Sequence, residues 1–299
     1  MIKRLFKNKD LQIRSGWKIF IVIISMMFIY PIIEIFFYIL TLLGIEGVYV
    51  FSSSEENSLV LNAIANFLTL GIGVLVIWVL FEGKKIKEIG LTKFKYGYKN
   101  FILGFTMGSF AIVSIVTCLM ITNSISIKLS DINLKLLISM IIEFMCFMLV
   151  GISEEIFFRG YCINVLKQTK NKYFIIIVSS IIFGLMHSMN PNVSFLAVVN
   201  IVLAGFMFTL MYVKTDNLWL SIGYHISWNY LQGNIFGFRV SGIDTKSILK
   251  TEVYKDSFIN GGSFGLEGGL ITTIILVLAI LFVLYIYRDN KIFENFIKE

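Results

Sequence analysis

Eight stretches of this chain are apolar over the length a helix needs to cross a bilayer, roughly 20 residues at about 1.5 Å each. They cover 19–44, 58–81, 101–122, 136–166, 173–189, 193–213, 217–237 and 268–287. Five of them, 58–81, 101–122, 193–213, 217–237 and 268–287, hold no Asp, Glu, Lys or Arg. Hydrocarbon offers no partner to a backbone amide, so a segment that enters it has to satisfy its own N–H and C=O groups. Apolar runs of this length do so as α-helices. The expectation is an all-α polytopic membrane protein with about eight transmembrane helices. It forms a single membrane domain over 1–299: N-terminal helices within 19–122, a core at about 135–237 and a last helix at 268–287. Pro31 and Pro191 are the only prolines, so most spans should run unbroken. The first window reads as a true span, because its apolar run is too long for a cleaved signal and no small-residue cleavage site follows.

Composition narrows the function classes. Hydrophobic residues make up 57% of the chain and charged residues 15%, against about 25% in soluble domains, and mean hydropathy is +0.82. A soluble enzyme, a disordered chain and a disulfide scaffold are excluded. Cys118, Cys146 and Cys162 form no CxxC pair and read as small buried hydrophobes. The net charge of +7 carries no nucleic-acid motif with it. It follows instead from where the basic residues lie. Lys3, Arg4, Lys7, Lys9, Arg14 and Lys18 precede the first window, and Lys84, Lys85, Lys87, Lys93, Lys95 and Lys99 follow the second. Lys167, Lys170, Lys172, Lys214, Arg288, Lys291 and Lys298 fall on the same side of the alternation. The opposite side holds Lys128, Lys135, Arg239, Lys246, Lys250 and Lys255, with Glu46, Glu55 and Glu56. This bias places both termini in the cytoplasm and the chain, multi-pass, in the cell membrane. Trp17, Trp78 and Trp219 fall near the cytoplasmic interface, and the Lys84–Lys99 loop faces anionic lipid. The long external loop at about 238–267 is expected to be irregular and mobile.

Ionisable groups inside a bilayer cost about 2.5–3.5 kcal/mol each on insertion scales, so where a chain accepts them is informative. Here Glu34 lies in the first window, and Glu143, Glu154 and Glu155 lie in the fourth. The chain's two histidines, His187 and His225, lie in the fifth and seventh. Residues four apart share a helix face. His225 and Asn229 therefore point one way, and Glu155 and Arg159 are spaced for an ion pair. Glu154, turned about 100° from Glu155, needs a partner from another helix. Counted from the cytoplasmic ends, Glu154, His187, His225 and Asn229 fall at about 18, 21, 12 and 18 Å of depth. They can meet in one layer only if the fourth helix runs from about 136 to 166. Glu143 is expected to bond to a Tyr or Ser of another helix, Asn200 and Gly205 to serve packing, and Glu34 has no assigned role.

Three stretches carry a resemblance. Glu154-Glu155-Ile156-Phe157-Phe158-Arg159-Gly160 resembles the EExxxR motif of the CPBP family of intramembrane proteases, also called Abi. That family includes the CAAX prenyl endopeptidases and bacteriocin-processing enzymes. Phe183-Gly184-Leu185-Met186-His187 resembles the second motif, FxxxH, and His225 to Asn229 the third, HxxxN/D. The resemblance covers about 135–237. It implies that Glu154 and His187 hold and activate a water, that His225 and Asn229 stabilise the oxyanion, and that Glu155, Arg159 and Phe183 support them structurally. It implies an intramembrane endopeptidase acting on a hydrophobic or lipidated peptide: a bacteriocin or pheromone precursor, or a CAAX-like tail. The other reading is a non-enzymatic bacteriocin-immunity or scaffold protein in the membrane. Glu154, His187 and His225 are also a possible zinc set; with HExxH absent, a metal-free, glutamate-type site is preferred. No nucleic-acid partner is expected, and the oligomeric state is open.

Overall fold

The computed structural model describes residues 5–43, 55–254 and 257–289, except the side chains of 34, 41 and 55–58. Lys3, Arg4, Glu46, Lys255, Lys291, Lys298 and the side chains of Glu34, Glu55 and Glu56 lie outside what is described.

Eight helical segments occupy the eight apolar windows. Helix α1 is Ser15–Leu42. Helix α2 (55–80) joins Glu55–Asn66, a π-helical stretch Phe67–Gly73 and Val74–Leu80. Helix α3 is Phe94–Ile121. Helix α4 (134–166) joins Leu134–Glu155, a π-helical stretch Ile156–Cys162 and Ile163–Leu166. Helices α5 and α6 are Lys172–Met186 and Phe195–Thr215. Helix α7 (219–235) joins Trp219–Tyr230 to a π-helical stretch Leu231–Ile235, and α8 is Leu270–Ile286. Among the described residues, five helices are long and apolar enough to cross a membrane, and Lys172–Met186 and Leu270–Ile286 are shorter apolar helices. Helix α7 belongs to neither group. It carries buried His225, Asn229, Gln232 and Asn234, which lower its hydropathy.

Two expectations change here. The spans are not uniformly α-helical, because three of them contain π-helical turns with no proline nearby. Such turns open the ladder by one residue and are frequent at functional sites. Second, the fifth window runs past the helix it contains: α5 stops at Met186, and His187 is its C-cap. Residues 187–192 are turns, as befits a segment that approaches Pro191. Asparagine and serine caps start the neighbouring helices, with Asn133, Asn171 and Ser194 accepting from the amides of Leu136, Phe174 and Ala197.

The segment over 238–267 is also built differently from expectation. It is irregular but tied down. Strand β2 (Leu249–Val253) pairs antiparallel with β1 (Ile125–Leu129), in the register Ile125↔Val253 to Leu129↔Leu249. Glu143 accepts from the Asn234 side-chain amide and, at 3.2 Å, from the Lys246 backbone amide. Asn200, read as a packing residue, donates to the carbonyls of Glu267 and Gly269 at 2.7 and 2.9 Å and accepts from Thr273 at 2.6 Å. Buried helical polar groups thus hold the loop from below.

At the other end, each of the three interfacial indoles donates to a loop carbonyl: Trp17 to Leu5, Trp78 to Lys85 and Trp219 to Thr92, at 2.9–3.0 Å. This is the amphipathic use of Trp at a membrane boundary.

Helix α7 is the axis of the bundle. Every residue from Leu220 to Asn229 is buried. It packs against α3 through glycines on both sides. A Cβ on Gly104 would lie 2.0 Å from the Leu220 carbonyl oxygen, and one on Gly223 would lie 2.2 Å from that of Phe101. Small residues let two backbones approach in this way within a membrane. Gly104→Leu is expected to destabilise the protein by about 1–3 kcal/mol or more through overpacking. Gly16→Ala, where a Cβ meets nothing within 4 Å, should be neutral. Thermal unfolding of both variants in detergent checks this.

Candidate active site

The fourth apolar window folds as one rod from Leu134 to Leu166, the length that a shared layer of Glu154 with both histidines requires. Glu154 and Glu155 end its first α-helical stretch, immediately before the π turn. They diverge as their spacing dictates. Glu154 faces a cavity of about 540 Å³; Glu155 faces the packed interior and is fully buried.

Three elements deliver the reactive groups. Glu154 Oε2 lies 3.7 Å from His187 Nε2 and 4.0 Å from His225 Nε2. It makes no direct hydrogen bond among the described residues. Each imidazole is held by its other nitrogen. His187 Nδ1 is 2.8 Å from the Phe183 carbonyl oxygen, one turn back on α5. His225 Nδ1 is 3.2 Å from Glu155 Oε1. A carbonyl and a carboxylate can only accept, so both Nδ1 atoms carry the proton and both Nε2 atoms face Glu154. Aromatic rings fix the ring planes: Phe208 stacks on His225 at 5.4 Å and 19°, and Phe183 lies 4.6 Å from His187. Asn229, one turn beyond His225, lines the same cavity.

The Glu155–Arg159 pair forms as spaced, with Arg159 Nη1 donating to Glu155 Oε1 at 2.9 Å and both side chains wholly buried. Sequence spacing did not indicate that the same oxygen also holds His225. Glu155 is therefore the link between the ion pair and the imidazole. The guanidinium lies 4.2 Å over Phe183 and 4.9 Å over Phe208 and donates to the Gly205 carbonyl at 3.4 Å. Phe183 thereby supports the arginine with its ring and His187 with its carbonyl. Gly205 is part of this arrangement as well as of the packing.

The three groups of the possible zinc set stand somewhat wider apart than ligands on a bound zinc. Ligands on a tetrahedral zinc with bonds of about 2.0–2.1 Å lie about 3.3–3.4 Å apart. The carboxylate oxygen here is 3.7 and 4.0 Å from the two nitrogens, so a zinc ion would have to draw the three groups together.

One cavity residue escaped the sequence reading. Glu267, in the turn before α8, is buried in the cavity wall. It accepts from Gln232 Nε2 at 2.5 Å and from the Ser241 amide and hydroxyl at 3.3 and 3.4 Å. Burial pushes its carboxyl up to about 7, against hydrogen bonds from Gln232 and Ser241 that pull it down. It sits outside every apolar window and in no motif; only the fold carries it inward.

Comparison with known proteins agrees with the motifs. Residues 136–231 match the family model described as type II CAAX prenyl endopeptidase Rce1-like, and all three motif stretches fall inside that match. The match fits the CPBP family of intramembrane proteases. An uncharacterized protein, YyaK, of Bacillus subtilis (strain 168) is 32% identical over 81 residues, which is 26% of this chain and 27% of that protein. The chain thus aligns with about a quarter of that relative's length. No solved structure matches it.

Two outcomes follow from the charges. Arg159→Ala should destabilise the protein by about 3–5 kcal/mol, since it strands a buried carboxylate, and Glu155→Gln with Arg159→Met should recover part of that loss. Unfolding in detergent measures both. The Glu267 carboxyl sits higher in the folded state than its ordinary value of 4.5, so the fold favours its protonated form. Its contribution is present at low pH and is lost as pH rises from about 4.5 through about 7. Over that window the stability of the wild type should fall relative to Glu267→Gln. Arg239, whose carbonyl accepts from Gln232, is engaged through its guanidinium with Asp244 at 3.0 Å and the Ser263 carbonyl at 3.1 Å.

Proposed function

We propose that this chain is an intramembrane endopeptidase of the glutamate type, in which Glu154 and His187 hold and activate a water inside its Rce1-like domain. The observation that carries the reading is the convergence of Glu154 Oε2 and two imidazole Nε2 atoms, at 3.7 and 4.0 Å, on one cavity among the helices. Those separations leave room for a water to donate hydrogen bonds to Glu154 and to His187. Its oxygen lone pair is then free for a peptide carbonyl.

The chemistry balances within the site. Glu154 takes a proton as the water oxygen bonds to the carbonyl carbon, and the carbonyl electrons move onto oxygen. The side-chain amide of Asn229 donates to that oxyanion, and His225, oriented by Glu155, helps to stabilise it. In a dry site one such donor is worth about 3–4 kcal/mol. The C–N bond then breaks, and Glu154 returns its proton to the leaving amine. Glu155, Arg159 and Phe183 act by fixing the imidazoles. The substrate class is a membrane-associated peptide. The basic end of the bundle, where the indoles meet the loops, is the proposed cytoplasmic side of a cell membrane.

Purified protein in lipid, screened against a peptide library, tests this. Glu154→Gln and His187→Ala should each lower cleavage by about 10²–10⁴-fold, and Asn229→Ala by about 10²–10³-fold, with expression unchanged. Unaltered cellular phenotype in both of the first two would favour a binding or immunity role. Stoichiometric zinc in protein purified without chelator, with activity lost on its removal, would overturn the glutamate-type assignment.

A further inference from the structure

The cavity holds a charge pattern that the hydrolytic step does not use. Its described lining includes two carboxylates, Glu154 and Glu267, and no lysine or arginine. This is notable in a chain with 26 basic and 19 acidic residues. Glu267 is not spent on an ion pair among the described residues: its hydrogen-bond donors, Gln232 and Ser241, are neutral. Oε1 takes both Ser241 donors, whereas Oε2 takes the Gln232 amide alone and keeps a second lone pair. Beside it, Gln232 gives its amide hydrogens to Glu267 and to the Arg239 carbonyl, so its own Oε1, fully buried, has no hydrogen-bond partner. Trp228 and Tyr224 add aromatic rings to the lining of the same cavity. A buried carboxylate with a spare lone pair, bonded only to neutral donors, and aromatic rings on the same cavity are surroundings that hold an ammonium or guanidinium group.

We infer that Glu267 forms a cation-recognising subsite of the cavity, and that the peptide this site takes carries a lysine or arginine near the reacting bond rather than a free terminal carboxylate there. A terminal carboxylate near Glu267 would meet a second carboxylate with no lysine or arginine among the described lining, a like-charge contact in a low-dielectric setting. A sphere of about 540 Å³ is about 10 Å across, which an extended chain covers in about three residues. The basic residue therefore belongs within a few positions of the scissile bond. The shift of the Glu267 carboxyl to about 7 agrees with a group that ionises fully when a cation arrives.

The position of the basic residue relative to a cut bond rests on the peptidase reading; the subsite itself does not. The test therefore uses binding. Full-length protein carrying Glu154→Gln, in lipid nanodiscs, is titrated with fluorescein-labelled apolar 12-residue peptides. Lys or Gln is placed at each position in turn, and each peptide is made with an amidated or a free-acid end. At one or two adjacent positions Lys should bind about tenfold tighter than Gln, and adding Glu267→Gln should bring that ratio to about one. The free acid should bind no tighter than the amide. Lys and Gln peptides binding within twofold of each other at every position, no measurable binding of either, or tighter binding of the free acid would each overturn the subsite. The Lys-to-Gln ratio with Glu267 intact decides the matter even if the second substitution does not fold. Separately, failure of the wild type to cut any peptide that binds would remove the peptidase reading and leave the subsite standing.

Discussion

One carboxylate oxygen organises the centre of this protein. Glu155 Oε1 receives both the Arg159 guanidinium and the His225 imidazole, in a layer closed to solvent. The bilayer makes an unpaired charge at such a place too costly to keep, so each of the three groups depends on the other two. The consequences reach outward. The guanidinium is flat and lies between Phe183 and Phe208; the same two rings border His187 and His225. An ion pair buried within α4 therefore sets the orientation of imidazoles on α5 and α7.

This explains why two adjacent glutamates have unlike surroundings. Glu155 has its charge matched and is walled in. Glu154, one residue earlier and turned to the cavity, approaches both Nε2 atoms without a hydrogen bond of its own. The pair separates a structural carboxylate from an available one by helix rotation alone. The π turn that begins at Ile156 follows directly, where the helix must also bury Arg159 and Tyr161.

Much of this was legible in the residues. Long uncharged windows gave the helices, because hydrocarbon permits little else. Polar residues inside them marked the site, because burying them carries a cost that apolar residues avoid. The i,i+4 spacing of Glu155 and Arg159 was enough to pair them. What stayed hidden depends on groups brought together from far apart. Glu155 meets His225 across 70 residues, and Glu143 meets Asn234 across 91, neither of which a local periodicity can register. The end of α5 at Met186 was masked by the apolar Met189 beyond it. Glu267 was overlooked since it lies in a glycine-rich turn that reads as solvent-facing until Asn200 draws its backbone onto α6. The π turns left no mark that hydropathy could reveal.

The contact of α3 with α7 through Gly104 and Gly223 has a mechanical corollary. Two backbones that touch with no side chain between them cannot slide or roll without collision, so the wall bearing His225 and Asn229 behaves as a fixed jaw. Helix α1 is its opposite. It contributes Tyr30 to the cavity lining, yet only 12% of its apolar window is buried. The cavity is thus bounded on one side by a glycine-locked helix and on another by a helix that rests on little protein surface.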